Sequence, residues 1–173
     1  MRLPSLHPVT QPMRVPAYFV GKITVNSDAP LSDDDLNNLA IALSAVAVIV
    51  AKSPPPLPVR GLNIIFIASD RLEICFDDPE ILGSYFQGIM YPIGLWRKVG
   101  YSRESIVFAM IEELCHAIWQ LPDGPEIRDK VTEVLQVLNP GAKYINFLAA
   151  AVLQQMVYKG QFPPPAPSSD DQG

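Results

Sequence analysis

Hydrophobic and polar positions in the first part of the chain predict a helix set between two strands. Residues 17–25 are rich in β-branched and aromatic side chains, and residues 62–68 form a short apolar run typical of a buried strand. Between them, a long apolar segment follows Ser32, with Asp35 three residues later in the position of a capping box. We expect this helix to continue to about residue 52, where a run of prolines stops it.

The rest of the pattern predicts more strands and then only helices. Residues 71–76 resemble a hairpin partner of the strand before them, and residues 84–96 are aromatic and β-rich but contain two glycines and a proline, which favours an irregular edge strand. Helices are predicted over residues 102–121, 125–138 and 142–159. The order β-α-β-β-β-α-α-α predicts an α+β fold. It has a small mixed sheet of three or four strands, an N-terminal helix, a helix across the sheet and two further C-terminal helices.

Proline clusters divide the chain into three parts. There are 18 prolines, about twice the usual share, and many of them lie near the two ends. Proline fixes φ and removes a hydrogen-bond donor, so these segments favour extended backbone. We expect an extended arm at residues 1–16, a single folded domain at 17–160 and a disordered tail at 161–173.

Composition narrows the classes of function. The charge is 13 − 18 = −5, which argues against a nucleic-acid partner. The most apolar stretch, residues 39–51, is shorter than the roughly 20 residues of a membrane span, and no signal peptide is visible. The two cysteines, Cys75 and Cys115, lie in apolar runs and are interpreted as reduced core thiols. The expectation is a cytoplasmic protein with no membrane partner.

The helix predicted over residues 102–121 carries the clearest chemistry. It is apolar on most faces but contains Glu112, Glu113 and His116. At about 100° per residue these three side chains share one sector of the helix. Two carboxylates and an imidazole on a buried helix are costly unless they are paired or hold a cation.

This segment, Glu112-Glu113-Leu114-Cys115-His116, resembles the HExxH signature of zincin metallopeptidases with Glu112 in place of the first histidine. The predicted element order is also similar to the zincin core. The resemblance implies peptide-bond hydrolysis with Glu113 as general base. Glu112 and His116 would be zinc ligands, since carboxylate oxygen also binds zinc.

A third zinc ligand is expected on the next helix. If the two helices fold back near residue 123, position 113 lies level with position 133, which favours Glu133 or Asp129. Asp123 and Glu126 are also available carboxylates. Glu126, Asp129 and Glu133 lie on a flank of that helix, where a solvated acidic face is the simpler interpretation. Tyr91 and Tyr101 are candidate oxyanion donors.

Two functions follow from this pattern. The first is a divergent zincin-like, metal-dependent hydrolase, peptidase-like, with weakened or lost activity. It would hold a peptide or protein segment along the edge strand at residues 84–96. The alternative is a non-catalytic binding or assembly module of the same fold without metal, and an unrelated fold with an acid–imidazole pair also stays open.

Overall fold

The computed structural model describes residues 6–68 and 88–159, and within these residues it contains a mixed four-stranded sheet and five α-helices. The strands are β1 (His7–Pro8), β2 (Ile23–Ser27), β3 (Leu62–Phe66) and β4 (Gly88–Tyr91), and the helices are α1 (Asp33–Lys52), α2 (Ile93–Val99), α3 (Arg103–Trp119), α4 (Pro125–Leu138) and α5 (Tyr144–Tyr158). β1 pairs antiparallel with β2, whereas β2, β3 and β4 are parallel neighbours in that order. The predicted α+β class with a small mixed sheet is confirmed.

Helix α1 connects the parallel strands β2 and β3, and its start is fixed by the predicted capping box. The Ser32 hydroxyl accepts a hydrogen bond from the Asp35 backbone N–H at 3.2 Å, and the Asp35 carboxylate accepts one from the Ser32 N–H at 2.8 Å. By length and composition α1 is apolar enough to cross a membrane, but 56% of that stretch is buried inside the protein. The buried fraction is consistent with α1 being a helix of the protein core.

The core forms where the helices pack on the alternating side chains of the sheet. Leu62, Ile64 and Phe66 of β3 point into it, as do Ile89 and Tyr91 of β4. Helix α3 contributes six hydrophobic residues that are at most 2% exposed: Phe108, Met110, Ile111, Leu114, Cys115 and Ile118. The helix that carries Glu112, Glu113 and His116 therefore lies in the core. Cys115 is a buried free thiol, as the sequence predicts.

Two strand predictions are wrong in part. Residues 93–99 form helix α2 and not the end of an edge strand, so the strand predicted over residues 84–96 is limited, among described residues, to β4. Pro92 immediately precedes the helix, where its missing N–H costs no helical hydrogen bond, and Gly100 ends the helix with φ of 77°. Residues 17–22 are likewise not strand, because a single 3₁₀ turn, Ala17–Phe19, precedes β2.

The described part of the N-terminal arm, residues 6–16, lies along the folded body. β1 pairs with the end of β2, and the partly buried Val9, Met13 and Val15 pack against the core. The predicted hairpin partner at residues 71–76 and the predicted tail at 161–173 lie outside the described residues, as does Cys75.

Candidate functional site

The acid and imidazole side chains of α3 lie on the less buried side of that helix. Glu112 and His116 are half-buried and Glu113 is exposed, whereas Leu114 and Cys115 between them are completely buried. This difference follows from helical geometry, because residues one and two positions away point to other faces. The three side chains therefore share one side of α3, as the sequence predicts, and this side reaches the protein surface at Glu113.

Glu112 is held by a tyrosine from the last helix. Its carboxylate accepts a hydrogen bond from the Tyr144 hydroxyl, at the first position of α5. Tyr144 is itself fixed, since its backbone N–H donates to the Thr132 hydroxyl of α4 at 3.2 Å and its ring contacts Phe108 edge-on. Burial, followed by the hydrogen bond to Glu112, raises the pKa of Tyr144 to about 12. The phenol therefore stays protonated and donating at neutral pH.

His116 is oriented by the backbone that follows its helix. Its Nδ1 lies 2.6 Å from the carbonyl oxygen of Leu121, and its Nε2 lies 3.5 Å from the carboxylate of Asp123. Gln120, which lies between His116 and Leu121, has φ of 55°. This left-handed conformation turns the chain back over the imidazole. With Nδ1 facing the Leu121 carbonyl, Nε2 is the ring nitrogen that lies on the side of the exposed Asp123.

The pKa of Glu113 depends on its burial and on the charged side chains around it. Partial desolvation of its carboxyl beside the helix raises the pKa of Glu113, the His116 side chain lowers it, and the negative charges of Glu112 and Asp123 raise it further. The net shift is upward, so Glu113 gains a proton at higher pH than an ordinary glutamate. A carboxylate with a raised pKa is a better proton acceptor near neutral pH.

The predicted third ligand has a different partner. Glu133 accepts a hydrogen bond from the Lys130 ammonium at 2.6 Å, and that ammonium also lies over the Trp119 ring, 5.1 Å from its centre. Asp129 is exposed on the flank of α4. Across residues 6–68 and 88–159, no three His, Cys, Asp or Glu side chains are grouped so that they can hold a metal ion. Glu112, His116 and Glu133 are therefore not part of such a group in the described residues, and zinc binding stays a prediction.

The hydroxyls of both candidate oxyanion donors make a hydrogen bond within the fold, Tyr91 as donor and Tyr101 as acceptor. Tyr91 is completely buried, and its hydroxyl donates a hydrogen bond to the Met110 carbonyl at 3.0 Å. Burial is the main cause that raises the pKa of Tyr91, and the negative charge of Glu113 is the second. The Tyr101 hydroxyl accepts a hydrogen bond from the Gln155 amide at 2.7 Å. These contacts tie strand β4 and helix α5 to the rest of the protein.

Sequence reasoning missed Tyr144 and the Leu121 carbonyl. Tyr144 lies 32 positions after Glu112, and no spacing rule connects the two. The Leu121 contact depends on a non-glycine residue in the left-handed region, which the letters of the sequence do not mark. From the sequence, Asp123 is only one of several carboxylates that follow the motif helix.

Comparison with protein-family models, with curated proteins and with solved structures finds no match for this chain. The geometry of α3 and its neighbours is therefore the basis for a functional interpretation.

Proposed function

We propose that this chain is a non-catalytic binding or assembly module of divergent zincin-like fold that works without metal. One observation carries the proposal: the carboxylate in the place of the first zinc ligand, Glu112, is bound by the Tyr144 hydroxyl of the same chain. A hydrogen bond from a neutral phenol to a carboxylate is of the stronger, charge-assisted kind. Zinc would have to compete with it.

The ion pair that Glu133 makes supports the same proposal. Its carboxylate is paired with Lys130, whose ammonium is positioned by the face of Trp119. A zinc ligand there would have to leave this ion pair, and Lys130, whose side chain is 17% exposed against 43% for Glu133, would lose its carboxylate partner. Two of the three expected ligands thus already stabilise the packing of α3 against α4 and α5.

A peptide or protein segment is the proposed partner of the module, and β4 is the proposed place of contact. β4 is the last strand in the order of the described sheet, and its side chains alternate between the buried Ile89 and Tyr91 and the exposed Met90. An extended segment can add to such a strand through main-chain hydrogen bonds. We place the module in the cytoplasm, as its composition favours.

A second candidate, the metal-dependent hydrolase, is favoured by the orientation of His116. Metal-binding histidines usually donate their second ring N–H to a carbonyl or carboxylate, and His116 Nδ1 faces the Leu121 carbonyl in this way. Glu113 beside it has the raised pKa that suits a general base. When bound, zinc would supply Lewis-acid activation of water.

Metal content together with peptidase activity separates the two functions. The full chain is purified without chelators and its zinc is measured by plasma mass spectrometry; casein cleavage is then assayed with added zinc. We expect no stoichiometric metal and no cleavage. The matched variant Glu113→Gln controls for contaminating proteases, because it keeps the size of the side chain but removes its basic oxygen. One zinc per chain, with casein cleavage that Glu113→Gln abolishes, would establish the hydrolase instead.

A further inference from the structure

The described part of the N-terminal arm, residues 6–16, is held at the edge of the sheet by few hydrogen bonds. β1 pairs with β2 over two residues, and the Val9 N–H continues the ladder by donating to the Val25 carbonyl at 2.9 Å. The Gln11 side-chain amide donates to the Leu31 carbonyl at 3.1 Å. A segment held by so few hydrogen bonds opens at a low cost in free energy.

The arm lies between two cavities. The first, of about 560 Å³, is lined by Val9 and Met13 of the arm and by Ile23 and Val25 of β2. The second, of about 510 Å³, is lined by Val9 and by residues 27–31. Both volumes fall within the range of ligand pockets. Together they form a groove beside β2, here called the β2 groove, which the arm fills only in part.

We propose that the β2 groove binds an extended, proline-containing segment of another protein, and that the arm competes with this segment from within the chain. The arm itself shows what the groove accepts, since Pro8 and Val9 lie there antiparallel to β2. In such a pair the backbone N–H groups point alternately toward and away from the neighbouring strand. Because the Val9 N–H points toward β2, the missing N–H of Pro8 costs no hydrogen bond. An incoming segment would add to β2 through the same main-chain hydrogen bonds.

The surroundings of the arm favour a basic partner. Arg14 lines a cavity of about 230 Å³ together with Asp33 of α1, and Asp34 lies exposed on the same helical turn. Two full negative charges exceed the roughly half positive charge of the helix start. The net charge of −5 adds to the attraction for a basic segment and opposes a second copy of this chain. The partner segment is therefore basic, with an apolar residue after proline, as in Pro8-Val9 and Pro12-Met13.

The way in which the arm is attached makes it a competitor. Phe19 is completely buried and anchors the chain just after the arm, so a released arm stays tethered beside the groove. Its effective concentration there is on the order of mM. The apparent affinity for a partner is reduced by the fraction of molecules in which the arm is released. This inference goes beyond the proposed contact at β4, which lies at the opposite end of the strand order.

Fluorescence anisotropy of the full chain with a labelled peptide that has the sequence of residues 6–16 tests the proposal. In the protein, Val9→Pro removes the N–H that bonds to Val25 but keeps the arm extended. Thr10→Pro is the matched control, because alternation points the Thr10 N–H away from β2. We expect Val9→Pro to bind the peptide about five to ten times more tightly than the wild type, and Thr10→Pro to differ from the wild type by less than about twofold.

Changes in the peptide test how it binds. An N-methyl group on its Val9 removes the N–H that bonds to β2 and should weaken binding to the Val9→Pro protein at least about fivefold. The same group on its Thr10 should change the affinity by less than about twofold. Arg14→Glu in the peptide should also weaken binding, and more so at low salt, because it meets the carboxylates at the start of α1.

Three results would overturn the proposal, with circular dichroism confirming that every variant is folded. The first is no binding by the Val9→Pro protein at concentrations up to about 1 mM. The second is equal affinity of the three proteins, which would place the peptide outside the β2 groove and leave the proposed contact at β4 standing. The third is a wild-type dimer in sedimentation equilibrium that Val9→Pro abolishes, which would assign the groove to the arm of a second copy. None of these measurements depends on whether α3 binds metal.

Discussion

The contact between Glu112 and Tyr144 decides how the carboxylates of α3 are interpreted. Glu112 is half-buried on a helix whose neighbouring residues are core, and a carboxylate there needs a partner. Tyr144 is that partner, and it reaches Glu112 because α4 and the Thr132 hydroxyl position the start of α5. The side chain that resembles a zinc ligand in the sequence has a stabilising role in the fold.

A double-mutant cycle measures this role. Tyr144→Phe removes the hydroxyl but keeps the ring, and Glu112→Met removes the accepting oxygens but keeps the length of the side chain. We expect Tyr144→Phe to lower the free energy of unfolding by about 1 kcal/mol, since a hydrogen bond to a charged group contributes at most a few kcal/mol and this one is only partly buried. The coupling energy from urea unfolding of the four proteins should be of similar size. Additive effects of the two substitutions would show that the contact contributes nothing.

The raised pKa of Glu113 predicts a pH-dependent effect of removing its charge. Because the folded pKa lies above the unfolded value, stability falls as pH rises through the window between them. Glu113→Gln should therefore raise the melting temperature at neutral pH, and the gain should vanish below the ordinary glutamate pKa.

Glu104 provides a control of opposite sign for this experiment. A hydrogen bond from its own backbone N–H, and then one from Ser102, lowers the pKa of Glu104. Its charged form supports the start of α3, so Glu104→Gln should lower the melting temperature at neutral pH and lose its effect as pH falls. The interpretation of Glu113 is wrong if both variants shift the melting temperature in the same direction at neutral pH.

At the scale of elements, local capping signals were predictable and the identity of a short helix was not. Ser32 and Ser102 each accept the backbone hydrogen bond that their sequence context predicts, at the starts of α1 and α3. Residues 93–99 have strand-like composition, yet they form α2, because Ile93 and Trp96 lie one turn apart and both reach the core. Tertiary packing outweighed intrinsic preference there.

The end of α3 gives a prediction at the element scale. Gln120 holds a left-handed φ of 55°, which costs a non-glycine residue about 1 kcal/mol. Gln120→Gly should raise the free energy of unfolding by up to about 1 kcal/mol, less the added entropy of the unfolded chain. In Ala150→Gly, a control in the exposed middle of α5, the same measurement should show a loss of about 1 kcal/mol. A destabilised Gln120→Gly would mean that the glutamine side chain has a role of its own.

For the whole molecule, the sequence predicted the class and the order of the large helices but not the use of the site. The α+β architecture followed from periodicity and caps, which act over a few residues. The partners of the motif side chains come from α4, α5 and the turn after α3, and only the complete fold brings them together. A spacing such as that from Glu112 to His116 defines a shared helix face; it does not reveal whether another helix has already bound that face.

Zinc titration of the full chain by calorimetry at neutral pH, with His116→Ala as the control, tests the central claim most directly. If Glu112 and Glu133 are committed to Tyr144 and Lys130, the wild-type protein should give no stoichiometric binding heat and should be indistinguishable from His116→Ala. Tyr144→Phe should free Glu112 but leave Glu133 paired, so it too should show at most weak binding. A one-to-one complex in the wild type that His116→Ala abolishes would contradict the account and restore the motif as a metal centre.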